Sequence, residues 1–344
     1  MNLLEERECD GAFFITSSKT FDPNIYYFTG MKVEPYYTSA CLLVTKDGYQ
    51  LYLTEKEDLG SIYADDIREI RRRGLLKDEI RKEIKSWKRI AVNYSSFLLS
   101  HSRLLGRKRK VDISKDLLKL RSRKDSLELK LMKRVCKYTD HVARKLLSSF
   151  TQFQRESDVA TFIFDLASRS DAQLAFPPIV ATNKRSSQVH PIPSYTTSFL
   201  GKITLIDFGF RMNGYCSDLT LTVFHQKPGK NELSLAESLE CLIPEIEEKI
   251  EEGSWGRELF LVFKRFLSTF NRKPQHALGH GIGLEVHELP SLSELSRDRI
   301  KSGNTFTLEP GVYLKNFGLR IENCYLLKGR KLLKLTKTGG IFVL

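Results

Sequence analysis

The stretch LIDFGFRMNGYCSDLTLTVF, residues 205–224, sets two aspartates, Asp207 and Asp218, in apolar strand-like sequence on either side of a turn. Like charges facing each other destabilise a sheet, so the pair calls for a cation. With Asn213-Gly214 as the turn, the chemistry such hairpins prefer, Asp218 lies opposite Gly209 and diagonal to Asp207. With Met212-Asn213 as the turn, the two aspartates face each other. Both registers put the carboxylates on one face, because strand side chains alternate with period two. Facing Cβ atoms lie roughly 4.5 to 5.5 Å apart. Two divalent metals about 3.5 to 4 Å apart fit such a pair.

Further residues of metal-ligand type follow. HALGHGIGLEVHELP carries His276, His280 and His287 around a glycine-rich turn. FTLEPGVYL sets Glu309 in a strand just before Pro310, and GLRIENCYLL carries Glu322, with Arg320 two residues earlier on the same face. Singly, such residues are ordinary surface or structural groups. Together, carboxylates at apolar strand positions in three segments are expensive to bury unless something neutralises them. Cys216, two residues before Asp218, shares its parity, so a regular strand aims the thiol at the site. The alternative is a small buried residue, which is the favoured reading.

These residues need elements to hold them. A length of 344 residues predicts about two domains at ~150 residues each, and an apolar fraction of 41% supports real cores. Residues 1–122 read as a smaller α/β domain. GAFFITS and ACLLVTKDGYQLYLT are strands with a turn at KDG, helical patterns cover 77–89 and 95–106, and RIAVNY is a strand between them. Residues 123–344 form the second domain. It opens with a long amphipathic helix capped by Asp125 or Ser126, with Leu127, Leu131, Val135 and Val142 on one face. Helices over 156–170, 232–252 and 256–270 alternate with strands IVAT, ITLIDFGF, YCSDLTLTVF, TFTLEPGVYL and LRIENCYLLK. The class is α+β with much of the sheet antiparallel.

The formal charge of +13 arises in one place, since residues 68–124 hold 20 Lys/Arg against 6 Asp/Glu. Aromatic residues are sparse there, so a solvated basic face is favoured over a nucleic-acid surface. The acidic start MNLLEERECD shows no signal peptide. No run approaches the ~18 apolar residues of a membrane span. Six scattered cysteines fit reduced thiols in the cytoplasm.

IDFG, GYCSDLT, GHGIG, EPG and RIE together resemble the signature of the pita-bread-fold metallopeptidases, and DPNIYYFTGM resembles a segment of the creatinase/prolidase-type N-terminal domain. The chain is thus similar to the Xaa-Pro peptidases, the prolidases and aminopeptidase P relatives. The resemblance implies a pita-bread catalytic domain and five metal ligands, Asp207, Asp218, His280, Glu309 and Glu322. They would hold two divalent ions, Mn2+ first, with Co2+, Zn2+ or Fe2+ as alternatives. It implies Glu309 as general base and His190, in VHPIP, and His287 as donors to the substrate carbonyl. His276 would stand at the pocket wall. Arg320 would clamp a substrate carboxylate or partner Glu322. The implied reaction is hydrolysis of a peptide with proline in second position, by a homodimer. A dipeptidase is expected, and an aminopeptidase acting on longer peptides is the alternative. A metal-free creatinase-like amidinohydrolase and a non-catalytic pita-bread binding module are weaker readings, because all five ligands are intact. Two departures stand out: ATNKRSSQV precedes His190, and Leu221 replaces the arginine usual three residues after Asp218.

Overall fold

The computed structural model describes residues 2–31, 39–54, 63–70, 73–192 and 200–344. The chain forms two compact units, Met1–Leu120 and Arg121–Leu344.

The first unit is built on a mixed six-stranded sheet in the order Asp66–Glu69, Tyr49–Leu53, Ala40–Val44, Gly11–Thr16, Arg89–Val92, Arg109–Asp112. Its strands alternate cleanly. Phe14, Leu42, Leu51 and Ala91 enter one core, while Phe13, Leu43, Tyr52 and Ile90 enter a second core with Ile80 and Ile84. Period-two alternation with both faces apolar means that both faces are covered. The helix expected over 77–89 runs instead from Arg73 to Glu83. Ile80 and Ile84 are buried as their spacing requires, but the chain must leave the helix early. The Lys88 and Arg89 amides donate to the Asp10 carboxylate at 2.6 and 2.8 Å, steering Arg89 into its strand.

In the second unit the helix Ser126–Ser148 begins with a capping box. Asp125 accepts from the Leu127 and Glu128 amides, and Glu128 reaches back to the Asp125 amide at 2.8 Å. The expected apolar face needs correcting. Leu127 is exposed, and the buried stripe is Glu128, Met132, Val135, Cys136, Thr139, Asp140, Val142, Ala143 and Leu146. Alternating steps of three and four follow the 3.6-residue turn, whereas the repeated steps of four from Leu127 drift off it. Helices Glu156–Ser168, Lys230–Glu247 and Gly256–Thr269 stand near their expected places.

Two sheets carry the chemistry-bearing residues. One has the order Gly340–Val343, Leu219–Phe224, Ile203–Phe208, Ile179–Thr182. The other is antiparallel throughout, in the order Glu288–Leu292, Gly279–Gly281, Thr305–Leu308, Asn323–Lys328, Lys331–Lys334. A bridge between Thr220 and Glu322 and a ribbon of Gly311–Tyr313 with Gly318–Arg320 link the two. One core, including Phe224, Leu239, Phe263, Phe306 and Leu319, lies under these elements and the helices Lys230–Glu247 and Gly256–Thr269. No helix among the described residues is long and apolar enough to cross a membrane.

The hairpin adopts the Asn213-Gly214 turn. Both residues have positive φ, 48° and 79°, and Met212 pairs with Tyr215. Asp207 pairs with Thr220, so Asp218 is diagonal to it. At Gly209 the strands come closer than a side chain allows, since a Cβ there would lie 2.0 Å from the Ser217 carbonyl oxygen. Gly209→Ala should therefore cost about 1–3 kcal/mol. Gly340→Ala meets its nearest neighbour at 3.6 Å and should stay within about 0.5 kcal/mol of the parent. Thermal melts of the two variants check this, and equal losses would contradict it.

Candidate metal centre

The close diagonal of the hairpin turns Asp207 and Asp218 toward one buried pocket. The antiparallel sheet brings His280, Glu309 and Glu322 to it. Ligand atoms of Asp218, His280 and Glu322 all lie within 4.8 Å of one another. His280 Nε2 stands 3.7 Å from Asp218 Oδ2 and 3.6 Å from Glu309 Oε1. Glu309 thus joins this group through His280, and Asp207 lies beside it, paired across the strands with Thr220, whose hydroxyl donates to Glu322.

Burial sets the electrostatics. Desolvation, joined by repulsion from Glu322 and Asp207, lifts the Asp218 carboxyl well above its usual range. Burial, then repulsion from Glu309 and Asp207, does the same to Glu322. Desolvation pushes Glu309 up to about 8 and raises Asp207, although Arg320 opposes both shifts. Desolvation lowers His276 to about 3 and His280 to about 4, so both rings are neutral. His280 Nδ1 lies 3.1 Å from the Gly281 carbonyl oxygen, to which a neutral ring donates, leaving the Nε2 lone pair facing the carboxylates.

The group fits a divalent cation. Asp207 Oδ1 and Asp218 Oδ1 are buried with no hydrogen-bond partner. Asp207, Glu309 and Glu322 each oppose ionisation of a neighbouring carboxyl, and one imidazole offers a lone pair. Positive charge placed among them satisfies all of these at once.

Around the ligands runs a chain that sequence reasoning reached only in part. Arg320 is buried. Its Nη2 donates to Asp207 Oδ2 at 2.5 Å, its Nε to Thr220 Oγ1 at 3.2 Å, and its Nη1 to Tyr313 Oη at 2.8 Å and the Val189 carbonyl at 3.1 Å. Arg320 is therefore a partner of an expected ligand, and the carboxylate it holds is that of Asp207 rather than Glu322. Tyr313 in turn reaches His276 Nε2 at 3.0 Å, and His276 Nδ1 is 3.6 Å from Glu309 Oε2. Thr220 donates to Glu322 Oε2 at 2.8 Å. Tyr313 and Thr220 were not among the expected site residues. Their signal was the shared parity of 218, 220 and 222 and the tyrosine four positions after Glu309.

The His287 ring packs edge-on against His280, with centroids 4.4 Å apart, and is exposed on its other side. His190 is exposed. Cys216 is the small buried residue of the favoured reading, and the thiol that parity would aim at the site is not there. The strand breaks at Ser217–Asp218, so parity fails, and Cys216 Sγ turns to the Leu284 carbonyl at 3.6 Å. The thiol beside Asp218 is Cys324, which accepts from the Asp218 amide at 3.3 Å and donates to its carbonyl at 3.2 Å.

A buried nest of carboxylates and one lone-pair imidazole defines a metal-dependent enzyme. Residues 130–329 match metallopeptidase family M24 and residues 1–123 match the creatinase/prolidase N-terminal domain. An uncharacterized peptidase of Methanocaldococcus jannaschii is 30% identical over 329 residues, covering 91% of this chain and 88% of its own. The Xaa-Pro dipeptidase of Pyrococcus furiosus is 27% identical, over 92% and 91%. The crystal structure of an X-Pro aminopeptidase from Thermotoga maritima superposes with a TM-score of 0.86 at 25% identity, over 98% of this chain and 99% of that one. The chain belongs to metallopeptidase family M24, and the expected architecture, a creatinase-type N-terminal domain before a pita-bread catalytic domain, is borne out.

Carboxylates with raised folded-state pKa favour folding at low pH and oppose it as pH climbs through those values. Histidines with lowered pKa act only below the unfolded value of 6.5. Between pH 6.5 and about 8, where Glu309 titrates, the carboxylates therefore dominate. Chelated protein should lose a few degrees of melting temperature across that window. Added divalent metal should restore more at pH 8 than at pH 6.5, and a metal effect independent of pH would contradict this.

Proposed function

We propose that the chain hydrolyses Xaa-Pro peptide bonds with two divalent metal ions, acting as an Xaa-Pro dipeptidase. The observation that carries this is the convergence of Asp218, His280 and Glu322 within 4.8 Å, with Glu309 and Asp207 beside them. The similarity to Xaa-Pro dipeptidases along nine-tenths of the chain supports the substrate class.

Asp207, Asp218, His280, Glu309 and Glu322 hold the two ions in this reading. An oxygen-rich set with one nitrogen suits Mn2+, and Co2+, Zn2+ or Fe2+ are compatible. Bound metals supply Lewis acidity and water of lowered pKa. Glu309 takes the proton from the attacking water and delivers it to the departing proline nitrogen. His287 and His190 donate to the carbonyl oxygen as it gains charge. His276, whose Nδ1 donates to the Ala277 carbonyl and whose Nε2 accepts from Tyr313, stands beside Glu309 at the pocket wall. Arg320 holds Asp207 in its ligating orientation. The proline nitrogen carries no hydrogen, and this machinery needs none, since it acts on the carbonyl alone.

The same reading places the protein in the cytoplasm as a homodimer, in keeping with its unpaired cysteines and with the family resemblance. A second reading, an aminopeptidase acting on longer peptides, is favoured by the likeness to the X-Pro aminopeptidase structure. The experiment is hydrolysis of Ala-Pro and of a longer Ala-Pro-initiated peptide by chelated protein with each metal restored. Ala-Pro cleavage restored best by Mn2+ is expected, with Asp218→Ala and Glu309→Ala each lowering kcat/KM by roughly 10³-fold or more. Preference for the longer peptide selects the aminopeptidase. Metal-independent cleavage, or none of either peptide, sinks the proposal.

A further inference from the structure

Beside the site, and untouched by the chemistry above, lies a second group of charges. Arg121 and Lys124, at the entry to the long helix, are 2% and 1% exposed in their side chains, and Glu288 is fully buried between them. Lys124 Nζ donates to Glu288 Oε2 at 2.8 Å, and Arg121 Nη2 stands 3.0 Å from Glu288 Oε1 and also binds Glu285. The four charges sum to zero. Buried ionic groups of this kind are seldom better for stability than apolar residues of the same volume, so what they add is geometry.

What they fix is the loop Gly283–Glu288. The Glu285 amide donates to Glu288 Oε1 at 3.3 Å and the Gly283 amide to the Glu285 carbonyl at 3.0 Å, folding the loop on itself. Its far end is tied to the hairpin, since the Cys216 amide donates to the Gly283 carbonyl at 2.7 Å, two residues from Asp218. There is no slack, because a Cβ on Gly283 would meet Glu288 Oε2 at 2.5 Å and Lys124 Nζ at 2.8 Å. The cationic side is anchored too. The Lys124 amide donates to the Gly303 carbonyl and Asn304 Nδ2 to the Ser122 carbonyl, each at 2.9 Å. The capping-box Glu128 accepts from Tyr215 Oη at 2.9 Å, so the same helix entry also grips the metal hairpin. His287 is the residue before Glu288. Its ring turns the other way, onto His280.

We propose that Arg121, Lys124 and Glu288, buried, and Glu285 at their rim form an ionic clamp that positions His287 over the metal centre, with Glu288 as its pivot. The clamp holds the segment 121–128, the hairpin and the histidine loop at one spacing. It sets where the His287 N–H meets the substrate carbonyl without touching substrate. This rests on the reading of His287 as an oxyanion donor.

The test is a double-mutant cycle on the metal-loaded full chain, with Ala-Pro hydrolysis as readout. Glu288→Gln should lower kcat by about 10-fold or more, the range for removing an outer partner of a site group. KM, and Mn2+ affinity by calorimetry, should stay within about two-fold. In a His287→Ala background the same substitution should cost less than about two-fold, because the residue it positions is gone. Equal losses in both backgrounds would show a merely structural role, and no loss in either would show none; each overturns the clamp. Should Glu288→Gln fail to fold, Glu285→Gln, whose side chain is 44% exposed, takes its place with the same criteria. If His287→Ala keeps full kcat, the assignment of His287 falls and the clamp with it. If His287→Ala is impaired and Glu288→Gln is not, the clamp alone falls.

Discussion

Four carboxylates that repel one another in a buried pocket are the constraint from which the rest of this structure follows. Burial raises the pKa of Asp207, Asp218, Glu309 and Glu322, and repulsion from neighbouring carboxylates adds to the rise at Asp218, Glu309 and Glu322. No apolar packing cures that, and a cation does. The second unit can be understood as what is needed to hold four such groups and one imidazole at fixed separations. A close hairpin pairs the aspartates, an antiparallel sheet delivers His280, Glu309 and Glu322, and the Thr220–Glu322 bridge joins the two.

Around that pocket a polar chain removes the remaining freedom. Arg320 binds Asp207 and Tyr313, Tyr313 reaches His276, and Thr220 lies between Arg320 and Glu322. Arg320 engages Asp207 Oδ2 and leaves Oδ1 without a hydrogen bond, and Thr220 engages Glu322 Oε2, the kind of outer contact that orients carboxylates for a metal. Leu221 sits on the opposite face and is buried, so an arginine usual in the family can be absent without breaking this chain.

The basic stretch gains a partial explanation from the same principle. Arg68 is held by Asp66 and Glu83, Lys82 by Glu79, and Arg121 and Lys124 by Glu285 and Glu288. The latter two are buried, so they belong to the interior and are no part of a surface for an anionic partner. Charge counted along a sequence overstates charge presented to solvent whenever the partners come from distant segments.

The sequence by itself carried the long helix with a cap at Asp125 or Ser126, the hairpin and the α+β class, and its short motifs carried the five expected ligands through a family resemblance. Each of these is a local pattern: residue type at fixed spacing, alternation of period two, a cap followed by an apolar stripe. It left the turn register open between two choices, and the structure takes the one with Asn213 and Gly214 at positive φ. Parity misplaced Cys216 because the strand breaks beside Asp218, and Cys324 takes the place beside that ligand from a strand 106 residues further on. The helix over 77–89 shifted because Asp10, far earlier in the chain, captures the amides of Lys88 and Arg89. Tyr313, the target of Arg320 and the partners of Glu288 were likewise decided by tertiary structure. Periodicity records which side of its own element a residue faces. Which distant side chain stands opposite depends on how the elements pack, and that was written only in three dimensions.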